Sequence, residues 1–190
     1  MCIRDRSRGI CFRGVISRRH KRMNRLNKDV SKFRLDGQAA LITGATRGIG
    51  WAIARGMAES GSTVYVNGRD KKVLAARCKN LIDLGYDAKP AFFDATNIES
   101  INRFLDHTET PIDILVNNAA IRLRKTLNEI SPKAFSEVLE ANLTSIYAIS
   151  RRFAARLEDQ QTKGSLINIT SIAGPRARPG DPAYTAAKGG

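Results

Sequence analysis

Short apolar runs alternate with amphipathic stretches along most of this 190-residue chain. Short apolar runs are typical of buried strands, and apolar positions at helical spacing indicate the helices that cover them. The predicted strands are residues 38–43, 63–66, 88–93, 112–116 and 165–170. The predicted helices are residues 48–60, 71–84, 98–107 and 132–157. Because strands separated by helices pair in parallel through crossover connections, the pattern predicts a doubly wound α/β domain.

The N-terminal segment does not follow this pattern. Residues 1–22 carry eight Arg or Lys and one acid, and they show neither strand nor helix periodicity. We expect residues 1–34 to be a basic leader, disordered or non-native, and residues 35–190 to form the domain. A targeting segment and a native basic tail are the alternatives, because composition of this kind specifies little.

Charge and cysteine usage exclude several classes of function. The formal net charge is +14, but residues 1–22 supply +7 of it (eight bases minus one acid), so the rest of the chain is only mildly basic. We therefore predict no nucleic-acid partner. No apolar stretch approaches the ~20 residues of a membrane-spanning helix, which predicts no membrane association. The three cysteines and two histidines lack disulfide or zinc spacing, which favours a reducing, cytoplasmic location and no metal site.

Three residues near the C-terminal end together suggest a proton-transfer group. Tyr184 and Lys188 are four positions apart, so on a helix they share one face. An ammonium beside a phenol favours the phenolate and so assists proton transfer. Ser171 follows the apolar run 165–170, which predicts a buried parallel strand, and its hydroxyl could hold a substrate oxygen. Alone, the Tyr–Lys pair also fits a solvated helix face.

A glycine-rich turn follows the first predicted strand. Gly44, Gly48 and Gly50 lie between this strand and the next helix. In open α/β sheets, ligands bind beyond the carboxyl ends of the strands, and a helix N-terminus attracts phosphate. Gly44 would permit a tight turn, Gly48 a close approach to a pyrophosphate, and Gly50 close helix–strand packing. Glycines at such junctions can also be turn punctuation alone.

The spacing Thr-Gly-x-x-x-Gly-x-Gly resembles the cofactor signature of the short-chain dehydrogenase/reductase family, whose fold is Rossmann-like. Further motifs follow in that family's order: Asp94 after strand three, residues 117–120 after strand four, Asn142 in the long helix, and Ser171 thirteen residues before Tyr184. Ala120 stands where the family has Gly, and a methyl there would crowd the backbone. The resemblance covers the chain from about residue 35 to its end. It implies a cofactor site formed by Gly44, Thr46, Arg47, Gly48, Ile49, Gly50, Asn67, Arg69, Asp94, Asn117, Ala119, Tyr184 and Lys188.

The resemblance also implies the reaction, a hydride transfer between a nicotinamide cofactor and a carbonyl or alcohol substrate. Tyr184 is then general acid in reduction and general base in oxidation, and Lys188 supports it and binds the nicotinamide ribose. Ser171 positions the substrate oxygen, and Asn142 holds a water on the proton path. Ser171 capping a helix, and Asn142 satisfying backbone at a kink, are the structural alternatives.

The end of the second predicted strand distinguishes NAD from NADP. NAD-binding proteins place a carboxylate there for the ribose 2′-hydroxyl, whereas NADP-binding proteins supply cations for the 2′-phosphate. Here Asn67 is not an acid, Arg69 can form a fork onto phosphate, and Arg47 adds a second cation. We predict NADP, although Asp70 one position later keeps NAD open.

Two basic segments, residues 121–125 and 175–178, border the predicted cleft. They favour an anionic substrate such as a sugar acid, and the chain resembles gluconate 5-dehydrogenase-like members of the family. A solvated basic rim is the structural alternative. The alternative functions are a 3-oxoacyl-acyl-carrier-protein reductase and a non-catalytic dinucleotide-binding or interaction protein.

The family's fold extends further than residue 190. We therefore expect the domain to lack its last strands and strand five to be an exposed edge. As written, the chain is expected to be inactive, and the complete protein is expected to be a homo-oligomer.

Overall fold

The computed structural model describes residues 32–190, so most of the predicted leader 1–34 lies outside the described residues. Within them the strands are β1 (Ala39–Ile42), β2 (Thr63–Gly68), β3 (Ala88–Phe92), β4 (Ile114–Asn117) and β5 (Ser165–Asn168). The helices are α1 (Gly48–Glu59), α2 (Lys71–Asp83), α3 (Ile98–Asp106), α4 (Pro132–Leu139), α5 (Ser145–Asp159) and α6 (Pro182–Gly189). A π-helical segment, Glu140–Thr144, joins α4 to α5.

The five strands form one parallel sheet in the order β3-β2-β1-β4-β5. The predicted doubly wound, Rossmann-like fold is thereby confirmed. The chain first runs outward from β1 to β3 and then returns to the other side of β1 with β4. The strand order therefore reverses between β1 and β4, and in such sheets ligands bind in the crevice at this point.

The central strands are apolar throughout because both faces of the sheet are covered. Successive residues of a strand point to opposite faces, so Ala40 and Ile42 pack with α1 and α2, whereas Ala39 and Leu41 pack with α3 and α5. A third, smaller apolar cluster contains Val138 and joins α4 to α6. This third cluster is what attaches the helix bearing Tyr184 to the domain.

Side-chain caps fix where several of the helices begin. Asp70 caps α2 by accepting hydrogen bonds from two backbone N–H groups, Asn97 caps α3, and Ser131 caps α4 just before Pro132. None of the helices in residues 32–190 is both long and apolar enough to cross a membrane.

The structure differs from the sequence-based expectations in two elements. The predicted single helix 132–157 is interrupted by the π-helical segment, where Asn142 bonds to backbone groups inside and outside the helix. Strand β5, predicted to be buried, is exposed at all four residues, with Leu166 41% and Ile167 42% accessible. Within the described residues β5 pairs only with β4, so the expectation of an exposed edge is confirmed.

Candidate active site

Hydrogen bonds tie together the carboxyl ends of β1 and β4, where the strand order reverses. The Thr43 hydroxyl accepts from the backbone N–H groups of Asn118 and Ala119, both at 3.0 Å. The Asn118 amide donates to the carbonyls of Thr43 and Gly44 at 2.9 and 3.1 Å. The mouth of the crevice is therefore a rigid frame.

Each of the three glycines of the turn has a distinct reason to lack a side chain. Gly44 has φ +61°, and a Cβ there would lie 2.9 Å from Ala119 Cα. A Cβ on Gly50 would lie 2.4 Å from Asn118 Nδ2, so the close packing predicted from the sequence is confirmed. Gly48 has φ +57°, and nothing lies within 4 Å of a Cβ built on it. Open space therefore adjoins the backbone where a phosphate group is expected.

The N-terminus of α1 offers backbone donors to an anion. Arg47 is its N-cap, no side chain caps the helix, and its first turn contains no acid. The first N–H groups of a helix have no partner within the helix and carry the positive end of its dipole. Arg47 itself is exposed beside them. These features fit the pyrophosphate of a dinucleotide.

Asn67, a predicted cofactor residue, is 2% exposed at the end of β2. Its Oδ1 accepts from the Gly44 N–H at 3.0 Å, and its Nδ2 donates to the carbonyls of Ala91 and Phe93 at 2.9 and 3.0 Å. The side chain thus links three strand ends and fixes the glycine turn. Its contact with a cofactor stays a prediction.

The charged residues beyond β2 lie where the sequence analysis expected them. The side chain of Arg69 is 72% exposed, and its Nη1 lies 3.6 Å from Asp94 Oδ2. Burial opposes ionisation of Asp94, but hydrogen bonds from Thr96 and the charge of Arg69 outweigh it and lower the pKa of this carboxyl. Asp70, the acid that kept NAD open, caps α2 through its Oδ1. One oxygen of this exposed carboxylate is therefore used at the start of the helix.

The segment after β4 accommodates its departure from the family motif. Asn117 is buried and donates to Ser150 Oγ at 2.9 Å and Asn168 Oδ1 at 2.8 Å, while its own Oδ1 has no partner among the described residues. Ala120 is exposed and its φ is not positive. The expected crowding by its methyl group is therefore not observed.

Tyr184 and Lys188 share one face of α6, as predicted. The Lys188 Nζ lies 6.0 Å from the centroid of the Tyr184 ring and donates to the Ile169 carbonyl at 2.8 Å. Burial lowers the pKa of the Lys188 ammonium below its ordinary value. A carbonyl just beyond β5 thus holds the ammonium near the phenol.

Ser171 lies in the turn that follows β5. Its Oγ accepts from the Ala173 N–H at 3.1 Å, which is a local turn bond. The same turn packs against α6, because a Cβ on Gly174 would lie 2.4 Å from the Lys188 carbonyl oxygen. Ser171 is therefore on a segment that contacts the helix of Tyr184 and Lys188.

Asn142 is buried within the π-helical segment. Its Oδ1 accepts from the Ile121 N–H at 2.9 Å, and its Nδ2 donates to the carbonyls of Ile121 at 2.8 Å and Val138 at 2.9 Å. The side chain satisfies backbone at an irregular turn, which was the structural alternative. Its place on the proton path stays a prediction.

Sequence reasoning missed Asp181, which caps no backbone group although it is the N-cap residue of α6. Asp181 is 1% exposed, its Oδ2 accepts from Arg122 Nε, and its Oδ1 has no partner among the described residues. The Arg122 guanidinium lies 5.1 Å from the centroid of the Tyr184 ring. Its signal in the sequence was an acid three positions before Tyr184, in a segment that otherwise carries arginines.

The basic rim predicted from residues 121–125 and 175–178 is present on the surface. Arg124, Lys125, Arg176 and Arg178 are exposed, whereas Arg122 is paired with Asp181. No group of His, Cys, Asp and Glu in the described part of the chain is arranged to hold a metal ion.

Comparison with known proteins identifies the family. Residues 38–190 match the short chain dehydrogenase family. The chain is 35% identical over 160 residues to gluconate 5-dehydrogenase of Gluconobacter oxydans, and 36% identical over 161 residues to a 3-oxoacyl-(acyl-carrier-protein) reductase of Haemophilus influenzae. These matches cover 83% and 82% of this chain.

A solved gluconate 5-dehydrogenase from Burkholderia cenocepacia, in complex with NADP and tartrate, matches 85% of this chain with a TM-score of 0.80 and 35% identity. The chain spans 62% of the Gluconobacter protein and 64% of each of the other two. The glycine turn, the strand order and the residues around α6 thus occur together in a sequence that matches one family over most of its length. This chain belongs to the short-chain dehydrogenase family.

Proposed function

We propose that the protein is an oxidoreductase that transfers a hydride between NADP(H) and a carbonyl or alcohol substrate. The observation that carries the proposal is the arrangement on α6, where Lys188 is held 6.0 Å from the Tyr184 ring by the carbonyl beyond β5. A tyrosine and a lysine fixed at the carboxyl end of β5, the edge of the sheet at which ligands bind in this fold, are suited to proton transfer at a substrate oxygen.

The preference for NADP rests on the charges beyond β2. Arg69 is exposed beyond β2, Arg47 is exposed at the start of α1, and Oδ1 of the nearby Asp70 accepts two hydrogen bonds at the start of α2. A guanidinium binds a phosphate in a bidentate manner, whereas a free carboxylate would favour the 2′-hydroxyl of NAD. The NADP complex of the Burkholderia relative supports this choice.

The chain's own residues divide the remaining work. Bound NADPH supplies the hydride. Tyr184 gives a proton to the carbonyl oxygen in reduction and takes it back in oxidation, and Lys188 places a positive charge beside it. Ser171 holds the substrate oxygen, and Asn142 holds a water that connects the site to solvent. Gly44, Gly48 and Gly50 bring the backbone to the dinucleotide.

The substrate that we propose is a small anionic molecule of the sugar-acid class. The exposed cations of the rim favour an anion, and relatives named gluconate 5-dehydrogenase act on a sugar acid. A 3-oxoacyl-(acyl-carrier-protein) reductase is the second candidate, favoured by the similar identity to such a reductase. Against it, Glu158 and Asp159 precede β5, where a basic surface would be needed to dock an acidic carrier.

Nucleotide binding tests the cofactor. Calorimetry on the whole protein that the gene encodes should show tighter binding of NADPH than of NADH. Arg69→Ala should remove much of the difference, because one charge-assisted contact to phosphate is lost. Arg55→Ala is the matched control, since Arg55 pairs with Glu59 on the outer surface of α1. Equal affinities for both nucleotides in the unmutated protein would refute the NADP assignment.

Turnover tests the substrate and the catalytic residues. The whole protein should oxidise NADPH with 5-keto-D-gluconate faster than with a 3-oxoacyl thioester. Tyr184→Phe should abolish turnover while leaving NADPH affinity nearly unchanged, because only the hydroxyl is removed. Faster turnover with the 3-oxoacyl thioester would favour the 3-oxoacyl-(acyl-carrier-protein) reductase. Activity of Tyr184→Phe would contradict the proton-transfer role of Tyr184.

We also propose a homo-oligomer in a cytoplasmic location. Leu143 and Tyr147, in the π-helical segment and α5, are large apolar residues with 37% and 66% exposure. Apolar residues clustered at a surface favour a partner surface. Sedimentation analysis of the whole protein should give a mass above the monomer, and Tyr147→Glu should lower it. A monomer before mutation would contradict the proposal.

A further inference from the structure

Arg77, on α2, crosses to the glycine turn rather than to solvent. Its Nε donates to the Thr46 carbonyl oxygen at 2.8 Å, a bond between residues 31 positions apart. Its guanidinium also lies over the ring of Trp51 in α1, 4.8 Å from the ring centroid. One side chain therefore connects α2, α1 and the turn between β1 and α1.

Thr46 is held from a second direction by the end of β2. A Cβ on Gly68 would lie 2.5 Å from Thr46 Cγ2, so the threonine methyl occupies the space beside the glycine. Thr46 is thus bonded through its carbonyl to α2 and packed through its methyl group on the end of β2. The peptide bond that follows is planar and trans, so the N–H of Arg47 points away from the Thr46 carbonyl and hence away from Arg77.

This arrangement fixes the part of the turn that leads into α1. Arg47 and Gly48 follow Thr46 directly, and their backbone begins the helix α1, whose first N–H groups have no partner within the helix and no side-chain cap. A loop that must present backbone donors to a phosphate binds more tightly when it is ordered before the ligand arrives. The planar guanidinium is suited to this task because it can donate at Nε while its face packs on an aromatic ring.

We propose that Arg77 is a positioning residue for the nucleotide, acting through Thr46, and that Trp51 supports it. The inference rests on the proposed function, since it takes NADP(H) to be the ligand of the glycine turn. Arg77 acts on the shared dinucleotide part of the ligand, so it strengthens the binding of NADPH and NADH by the same factor. In this it differs from Arg69, which is expected to distinguish the two nucleotides.

Trp51 is the only tryptophan of the chain, so its fluorescence reports this contact directly. Arg77→Lys keeps the positive charge but loses the planar group that bonds to Thr46 and packs on Trp51. In the absence of nucleotide, this variant should therefore change the intensity or the wavelength of the Trp51 emission. Arg151→Lys, exposed on α5 across the sheet from α1, should leave the emission unchanged.

Calorimetry on the whole protein then tests the proposal. Arg77→Lys should weaken the binding of NADPH and of NADH by a similar factor, roughly tenfold, as expected for one charge-assisted hydrogen bond. Trp51→Leu retains Arg77 but removes the ring on which it packs. This variant should weaken the binding of NADPH and of NADH by equal factors, each smaller than in Arg77→Lys. This second variant also serves if Arg77→Lys fails to fold, which thermal unfolding would show.

The possible outcomes are distinct. Unchanged affinity for both nucleotides in Arg77→Lys and Trp51→Leu would overturn the inference. A loss confined to NADPH would overturn it too, because Arg77 would then be a ligand of the 2′-phosphate. If the unmutated protein binds NADPH but these variants behave like Arg151→Lys, the inference fails and the proposed function stands. If the unmutated protein binds neither nucleotide, both fail.

Discussion

Two glycines of α1 should respond in opposite directions to the same substitution. Gly50→Ala places a methyl 2.4 Å from Asn118 Nδ2 and 2.6 Å from the Gly44 carbonyl oxygen. Asn118 cannot move away without loss, because its amide donates to the carbonyls of Thr43 and Gly44. Gly56 lies in the same helix and is exposed, and a methyl at this position would have no neighbour within 4 Å.

The magnitudes follow from these contacts. Two hydrogen bonds at about 1 kcal/mol each, plus about 1–3 kcal/mol for overpacking, give a loss of about 3–5 kcal/mol in the free energy of unfolding for Gly50→Ala. Gly56→Ala should instead raise this free energy by about 0.5–1 kcal/mol, because alanine restricts the unfolded chain and favours helix.

Urea and thermal unfolding, followed by circular dichroism, measure both variants. Gly50→Ala should lower Tm by about 6–20 °C, from about 2–4 °C per kcal/mol for a domain of this size, and Gly56→Ala should raise it slightly. The reasoning depends on the rigid frame between β1 and β4. Small and equal changes of Tm in the two variants would show that the segments after β1 and β4 move apart at little cost. The contact between position 50 and Asn118 would then not contribute to stability.

Three further outcomes are expected from buried polar groups. Burial raises the pKa of the Cys78 thiol to about 11. In a variant whose other two cysteines are serine, a disulfide reagent should therefore react only after denaturant is added. Reaction with the native protein at pH 8 would contradict this. Asp181→Asn should lower the free energy of unfolding by about 2 kcal/mol, because it breaks the ion pair with Arg122. The loss is modest because the Arg122 side chain is 36% exposed and stays partly hydrated. Asp159→Asn, at an exposed position, is the control and should change this free energy little. Asn67→Asp would introduce the acid typical of NAD binding, but we expect it to lower the free energy of unfolding by about 3–5 kcal/mol rather than to switch the cofactor. The reason is that a buried carboxylate would face two carbonyls at the end of β3. A stable variant that prefers NADH would refute this.

The features predicted correctly are those whose signal is local. The central strands can be recognised because both of their faces are buried, so β1 is apolar at every position. Gly44 and Gly50 lie at a strand–helix junction, where the sequence alone indicates a tight turn and close packing. Tyr184 and Lys188 share a helix, so their spacing suffices to place them on one face.

The features that were missed depend on contacts between distant parts of the chain. Asn67 is a polar residue at a strand end, and nothing nearby reveals that β1 and β3 use up its hydrogen bonds. Asp181 pairs with Arg122, 59 positions earlier, and Arg77 bonds to a carbonyl 31 positions earlier. Such pairs become visible only when the fold brings the elements together.

The wide turn at Glu140–Thr144 changes the direction in which the apolar residues of α5 point relative to those of α4. Val138 and Ile149 are eleven residues apart, so at about 100° per residue a regular helix would return them to within about 20° of the same direction. Instead, Val138 packs beside α6, and Ile149 packs against the sheet. One additional residue in the turn rotates α5 relative to α4 by about 100°, which separates the two directions.

The Asn142 amide takes the Val138 carbonyl, at 2.9 Å, so the altered turn does not leave this buried acceptor unsatisfied. The number of residues in this segment therefore matters for the packing of both helices. Deleting any one residue between Glu140 and Thr144 would bring both apolar surfaces into the same direction. The helix could then cover the sheet or support α6, but not both, and the helix that carries Tyr184 would lose the surface on which it packs.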